Sequence, residues 1–191
     1  MPTEGSSMTA DQTAAPGLTR SYSRASIALH WLMLVLLAAV YACIELREYY
    51  PRGSDIREGL KTWHFMLGLS VFVLVWVRLV ARWRTPLLAP EPGWTRWPAA
   101  AGHLSLYGLM IIMPILRWAA LSADGKEIPF FGLSLPALVA PNKELAGQVE
   151  GLHVTLGVAG YWLIGLHAAA ALLHQYVLKD GTLRRMLPLV R

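Results

Sequence analysis

Cysteine is nearly absent, with Cys43 the single thiol among 191 residues. It has no internal partner for a disulfide, and the paired cysteines that a zinc ribbon or a covalent prosthetic-group attachment requires are missing. Charge is scarce as well. Only 15% of the residues are Asp, Glu, Lys or Arg, and they gather between long apolar stretches, which excludes the mixed surface of a water-soluble domain. No period of about 20–50 residues recurs convincingly, so an internally duplicated transporter has no support. What the chain has in quantity is apolar: 55% of it is hydrophobic and its mean hydropathy is +0.42.

Four stretches reach the roughly 20 residues that a helix needs to cross about 30 Å of hydrocarbon: 25–44, 60–81, 99–121 and 151–178. They predict an all-α membrane protein, a bundle of four transmembrane helices forming one domain over 21–191. The first stretch is too long for a signal peptide and follows a polar tail, so it is read as a helix. Residues 1–20 have no periodic apolar face and are expected to be a disordered tail. Ten of the seventeen basic residues fall on the side holding both termini and the 82–98 connection, which assigns the termini to the cytoplasm by the positive-inside rule. The net charge of +5 then belongs to that face and calls for no nucleic acid. Trp94 and Trp97 suit an interfacial belt there. On the outer side the 122–150 connection, with Pro129, Pro136 and Pro141 around short apolar pieces, is expected to lie as a lid on the membrane surface.

All six histidines, His30, His64, His103, His153, His167 and His174, fall within or at the ends of these stretches. An ionisable side chain at membrane depth is costly and by default marks a functional site; the plainer alternative is an interhelical hydrogen bond or snorkelling to the headgroups. The pattern decides. His153 and His167 are 14 residues apart, which brings them within about 40° of one face and separates them by about 21 Å along the axis. Helix four thus offers imidazoles at two depths. The alternating helix directions match His64 with His153 near the outer side and His30 with His167 near the inner side.

Two facing imidazoles with no Cys, Asp or Glu beside them suit the two axial positions of a haem iron, whereas zinc would need further ligands. Without attachment cysteines, such haems are held non-covalently. Gly68 and Gly157, each four residues past a histidine, leave room for a porphyrin, or else allow close helix packing. Arg78 lies at the inner depth, where it either pairs with a haem propionate or snorkels. His174 is two turns beyond His167 on the same face, about 10.5 Å deeper: too far for the same iron, but placed to touch something beside it. His103, at the inner start of helix three, is read as a snorkelling residue.

Residues 22–191 resemble the bacterial cytochrome b561 family, and within it the superoxide oxidase type. The resemblance rests on Ile27–Trp31 (IALHW), the Tyr41–Pro51 segment with Glu45 and Arg47, Trp63–His64, Gly102–His103–Leu104, and above all GLHAAAALLHQYVLKDGTLRRMLP from Gly165 to Pro188. It implies a multi-pass protein of the bacterial inner membrane that binds two b-type haems and passes electrons from periplasmic superoxide to ubiquinone. His30, His64, His153 and His167 fall at the family's haem ligands and His174 at its quinone histidine, with Arg24 and Ser26 near in depth. Gln175 beside His174 departs from the pattern. On the outer side Arg47, Arg52, Arg57 and Lys61, faced by Lys126 and Lys143, are candidates to steer the superoxide anion; solvated loop charges balanced by nearby acids are the alternative. The rival function is a cytochrome b subunit that links a periplasmic dehydrogenase or hydrogenase to the quinone pool. A haem-free histidine transporter is a third class, and it would be colourless.

Overall fold

The computed structural model describes residues 22–84 and 96–187; the expected tail over 1–20 and Trp94 lie outside them. Among the described residues four long helices dominate. Helix α1 spans Arg24–Leu46 and starts at Ser23, whose hydroxyl accepts the Ser26 amide. A 3-10 turn over Arg47–Tyr49 leads to α2, Asp55–Trp83, capped by Ser54 with Asp55 and Glu58 in the first turn, where the helix dipole favours negative charge. Helix α3 spans Arg96–Ala123 with Pro114 inside it. Helix α4 covers Lys143–Leu173 from an Asn142 cap and runs on into one π-helical turn, His174–Leu178. All four are long and apolar enough to cross a membrane.

Helices α2 and α4 begin at 55 and 143, earlier than hydropathy places them. Their first turns are polar, so cap chemistry and not apolar content sets the start. The lid shrinks accordingly. Its centre is a two-residue antiparallel pair, β1 Pro129–Phe130 with β2 Leu133–Ser134, turned by Phe131 and Gly132 at positive φ. Ile128 is buried against Phe65 and Leu69 of α2. Trp118 Nε1 donates to Pro136 O at 2.9 Å, and the Asn142 amide donates to Ala123 O at 2.8 Å.

Helix α1 packs on α2 and α3 on α4, and the two hairpins meet through α2 and α3. Met33, Val71, Val75 and Met110 form the buried centre of that junction. Elsewhere large apolar side chains point outward: Leu104 and Trp162 are each 74% exposed and Leu166 67%. A surface of this kind is stable only against lipid, where helices satisfy their own backbone groups. The start of α1 and the segment after α4 lie together at one end of the bundle, joined by Trp31 and Met186, hereafter the terminal end; the 47–54 and 124–142 connections form the loop end.

Between α1 and α4 side chains bridge the gap. Tyr41 Oη donates to Gly157 O at 3.0 Å, the Tyr41 and Tyr161 rings lie 4.3 Å apart, and the Tyr161 hydroxyl donates to the Glu45 carboxylate. Tyr41 fits because Gly160 has no side chain: a Cβ there would sit 2.2 Å from Tyr41 Oη and 3.1 Å from Leu109 Cδ2. Gly160→Ala is therefore expected to destabilise the bundle by about 1–3 kcal/mol, the usual range for overpacking. Thermal unfolding checks this, and Tyr41→Phe, which removes the clashing oxygen, makes the double variant less damaged than the sum of the singles.

Candidate functional site

Each half of the bundle contributes rings to the space between the hairpins. At the loop end His64 of α2 and His153 of α4 face each other with ring centres 6.1 Å apart and planes at 83°. His64 Nδ1 lies 2.8 Å from Val40 O, and His153 Nδ1 lies 3.1 Å from Met113 O. A carbonyl only accepts, so both Nδ1 atoms carry the hydrogen and both Nε2 atoms are left with a free lone pair. Such a hydrogen bond also fixes ring orientation and raises ligand basicity. Pro114, one residue past Met113, lines the same cavity. Gly68 and Gly157 line it too, and a Cβ on Gly68 would meet nothing within 4 Å.

At the terminal end His30 of α1 and His167 of α4 have ring centres 6.3 Å apart. His30 Nδ1 is buried without a hydrogen-bond partner. His103 of α3 is the residue that sequence reasoning leaves aside: its ring centre is 5.8 Å from that of His167. Its depth, matching that of His167, is the signal that could have found it. Even so, among the described residues no three His, Cys, Asp or Glu side chains converge as a metal cage. Arg78 is half-buried on α2 with its guanidinium 5.7 Å from the centre of the Tyr107 ring.

The cations divide into free and committed ones. Arg47, Lys61 and Arg117 line the loop-end cavity together with Glu45 and Glu150; all three are paired, Arg47 with Glu48 at 2.9 Å, Arg117 with Glu150 at 2.9 Å and Lys61 with Glu58 at 2.7 Å. Arg52 is exposed. Arg57 differs from the sequence expectation of an exposed charge: it is buried, its guanidinium donating to Arg47 O, Tyr50 O and the Glu48 carboxylate at 2.7–3.2 Å. It is a clamp on the turn between α1 and α2. Lys126 and Lys143 do not stand free either. Both hydrogen-bond Asp124 at 2.6 Å, and those bonds hold its carboxyl at about 2.

Near the start of α1, Arg24 is exposed, and the Ser26 hydroxyl accepts from that of Ser23 at 2.9 Å. At the far end of α4, His174 bonds Asp180 through Nδ1. Trp31, next to His30, donates from Nε1 to Met186 O at 2.7 Å, tying the segment after α4 to α1.

A family model for prokaryotic cytochrome b561 matches residues 21–189. The chain belongs to the prokaryotic cytochrome b561 family. It is similar to "Cytochrome b561 homolog 1" of Escherichia coli strain K12, with 36% identity over 170 residues that cover 87% of this chain and 97% of the relative. It is also similar to "Probable superoxide oxidase CybB" of Yersinia pestis, 39% identical over 172 residues covering 88% and 97%, and to "Cytochrome b561 homolog 2" of the same E. coli strain, 32% identical over 181 residues covering 87% and 90%. As a cytochrome b561 it is a multi-pass bacterial membrane electron-transfer protein that carries b-type haem.

The residues present fit that group. Two imidazoles bound to one metal at about 2 Å each have ring centres about 6 Å apart, the separation found at both ends. The loop-end pair has both Nε2 lone pairs available, and the cradle at Gly68 is one that a side chain would fill. Gly68→Leu is accordingly expected to lower the haem bound per chain while the helical content stays the same; Soret absorbance per protein, read with far-UV circular dichroism, checks it.

Proposed function

We propose that this cytochrome b561 oxidises superoxide at the loop end and delivers the electrons to ubiquinone at the terminal end. The observation that supports it most is the stacking of two opposed histidine pairs, one near each end of a single bundle, in a chain similar to a probable superoxide oxidase. Two b-type haems, ligated by His64 with His153 and by His30 with His167, supply one-electron transfer between the membrane faces. The chain's own residues do the rest. The half-reactions balance as two superoxide anions, one quinone and two protons giving two dioxygen molecules and one quinol.

The side assignment follows the basic residues, with both termini in the cytoplasm, the protein in the bacterial inner membrane and the loop end in the periplasm. There Arg47, Arg52 and Lys61 attract the anion, while Arg57, matched by Glu48, keeps their turn in shape. At the terminal end Arg78 is placed to pair with a haem propionate. His174 meets the quinone and supplies its protons, because an imidazole both donates and accepts near neutral pH, and Arg24 and Ser26, near it in depth at the start of α1, assist. The short loop end leaves little surface for docking a periplasmic dehydrogenase, which disfavours the subunit reading.

Stopped-flow mixing of the oxidised protein with superoxide tests the function. Haem reduction faster than superoxide dismutation, slowing as salt rises towards about 0.15 M, where the screening length is about 8 Å, is the expected result; no reduction would favour a protein donor instead. Stoichiometry is checked by pyridine haemochrome, with two haems per chain expected. His153→Ala or His30→Ala each leaves one, whereas His103→Ala keeps both. His174→Ala keeps both haems and their reduction, but slows reoxidation by a short-chain ubiquinone at least about tenfold, a typical lower bound for a lost proton-transfer group, general acid–base catalysis being worth about 100-fold or more.

A further inference from the structure

Beyond α4 the chain folds into a compact strap. The π-helical turn begins at His174, a geometry that recurs at functional sites. It ends at Lys179, a non-glycine residue with φ of 55°, in a region costly for side-chain-bearing residues and kept where the surroundings enforce it. Here they do. The Asp180 amide donates to His174 O at 3.3 Å, the Thr182 amide to Asp180 Oδ1 at 2.9 Å and Arg185 to Asp180 O at 2.8 Å. The Asp180 carboxylate therefore has one oxygen held by the Thr182 amide, and the other meets His174 Nδ1. Trp31 then fastens the strap to α1 at Met186. Gln175 Oε1 and Thr182 Oγ1, buried beside this knot, have no hydrogen-bond partner.

We propose that Asp180 is the positioning residue of His174, holding the ring by Nδ1 so that Nε2 is the atom that meets the quinone and hands it protons. The proposal rests on His174 being the quinone residue. In its doubly protonated form His174 donates Nδ1–H to Asp180 and Nε2–H to a quinone oxygen. Transfer breaks that Nε2–H bond and forms one O–H bond, leaving a neutral ring still donating Nδ1–H to Asp180. Water at the terminal end returns the proton to Nε2 without any ring flip. A second passage supplies the second proton, and the two electrons come from the donor at the loop end.

Asp180 is suited to this because it stays ionised. Burial pushes its carboxyl up, but hydrogen bonds from His174 and Thr182 outweigh that and bring it down to about 2. A depressed carboxyl contributes its hold above its ordinary value of about 3.9 and loses it only as pH falls towards the folded value, so between pH 5 and 9 Asp180 does not titrate. Among the described residues the ionisable groups set against it are His174 in the π-helical turn and Arg185 on the strap.

The test uses the full haem-loaded protein with Asp180→Asn, Asp180→Glu and His174→Ala. Nitrogen-15 NMR of histidine in dithionite-reduced protein without quinone is expected to show His174 protonated at Nδ1, with Asp180→Asn giving a mixture of tautomers. Reoxidation by a short-chain ubiquinone in Asp180→Asn is expected to be about five- to tenfold slower, the scale of one lost charge-assisted hydrogen bond. Asp180→Glu regains most of the loss. A bare Nδ1 in the native protein overturns the proposal, and so does normal reoxidation by Asp180→Asn while His174→Ala is slow. Loss of haem in Asp180→Asn also overturns it, by making the carboxylate a folding element. If neither variant slows, the quinone reading of His174 is what fails.

Discussion

The bonds from His64 to the Val40 carbonyl and from His153 to the Met113 carbonyl are the constraint on which the loop-end site depends. Each is internal to one hairpin: α2 aims its ring by gripping α1, and α4 by gripping α3. A helix carbonyl is a fixed point in the membrane interior, where no water competes for it. Once each hairpin has set its own ring, the ring separation follows from how α2 and α3 pack, through Val71, Val75 and Met110.

The terminal end follows other rules. His30 Nδ1 has no protein partner and His167 has imidazoles on two sides, so ring orientation there depends less on the neighbouring backbone. The π-helical turn and the strap behind His174 replace that rigidity with a network of short-range bonds. One end of the bundle is organised by contacts between adjacent helices, the other by chain that doubles back on the helix it has just left.

Spans and histidine depths are legible in the sequence because both depend on simple periods: hydropathy over about 20 residues and 100° of rotation per residue. Those periods bring His64 to His153 and His30 to His167, and the rings do face each other. Features that depend on a local partner are not legible. Arg57 looks like any loop cation until the Arg47 and Tyr50 carbonyls are seen to converge on it. His103 looks like an interfacial residue until α3 is packed on α4. The polar first turns of α2 and α4 carry no apolar signal, and only the caps Ser54 and Asn142 mark where these helices start.

That each hairpin supplies one ring of the loop-end pair has a consequence for biogenesis. A ribosome-bound chain that has inserted α1 and α2 exposes His30 and His64 singly, with nothing across from either. Only after α3 and α4 enter the bilayer does the fourth helix bring His153 and His167 into place and close the space between the hairpins. Tyr41 and Tyr161 then fasten the seam between first and last helix, and Trp31 ties the segment beyond it to α1. Incomplete chains thus lack both ring pairs, which form only once the second hairpin has packed on the first.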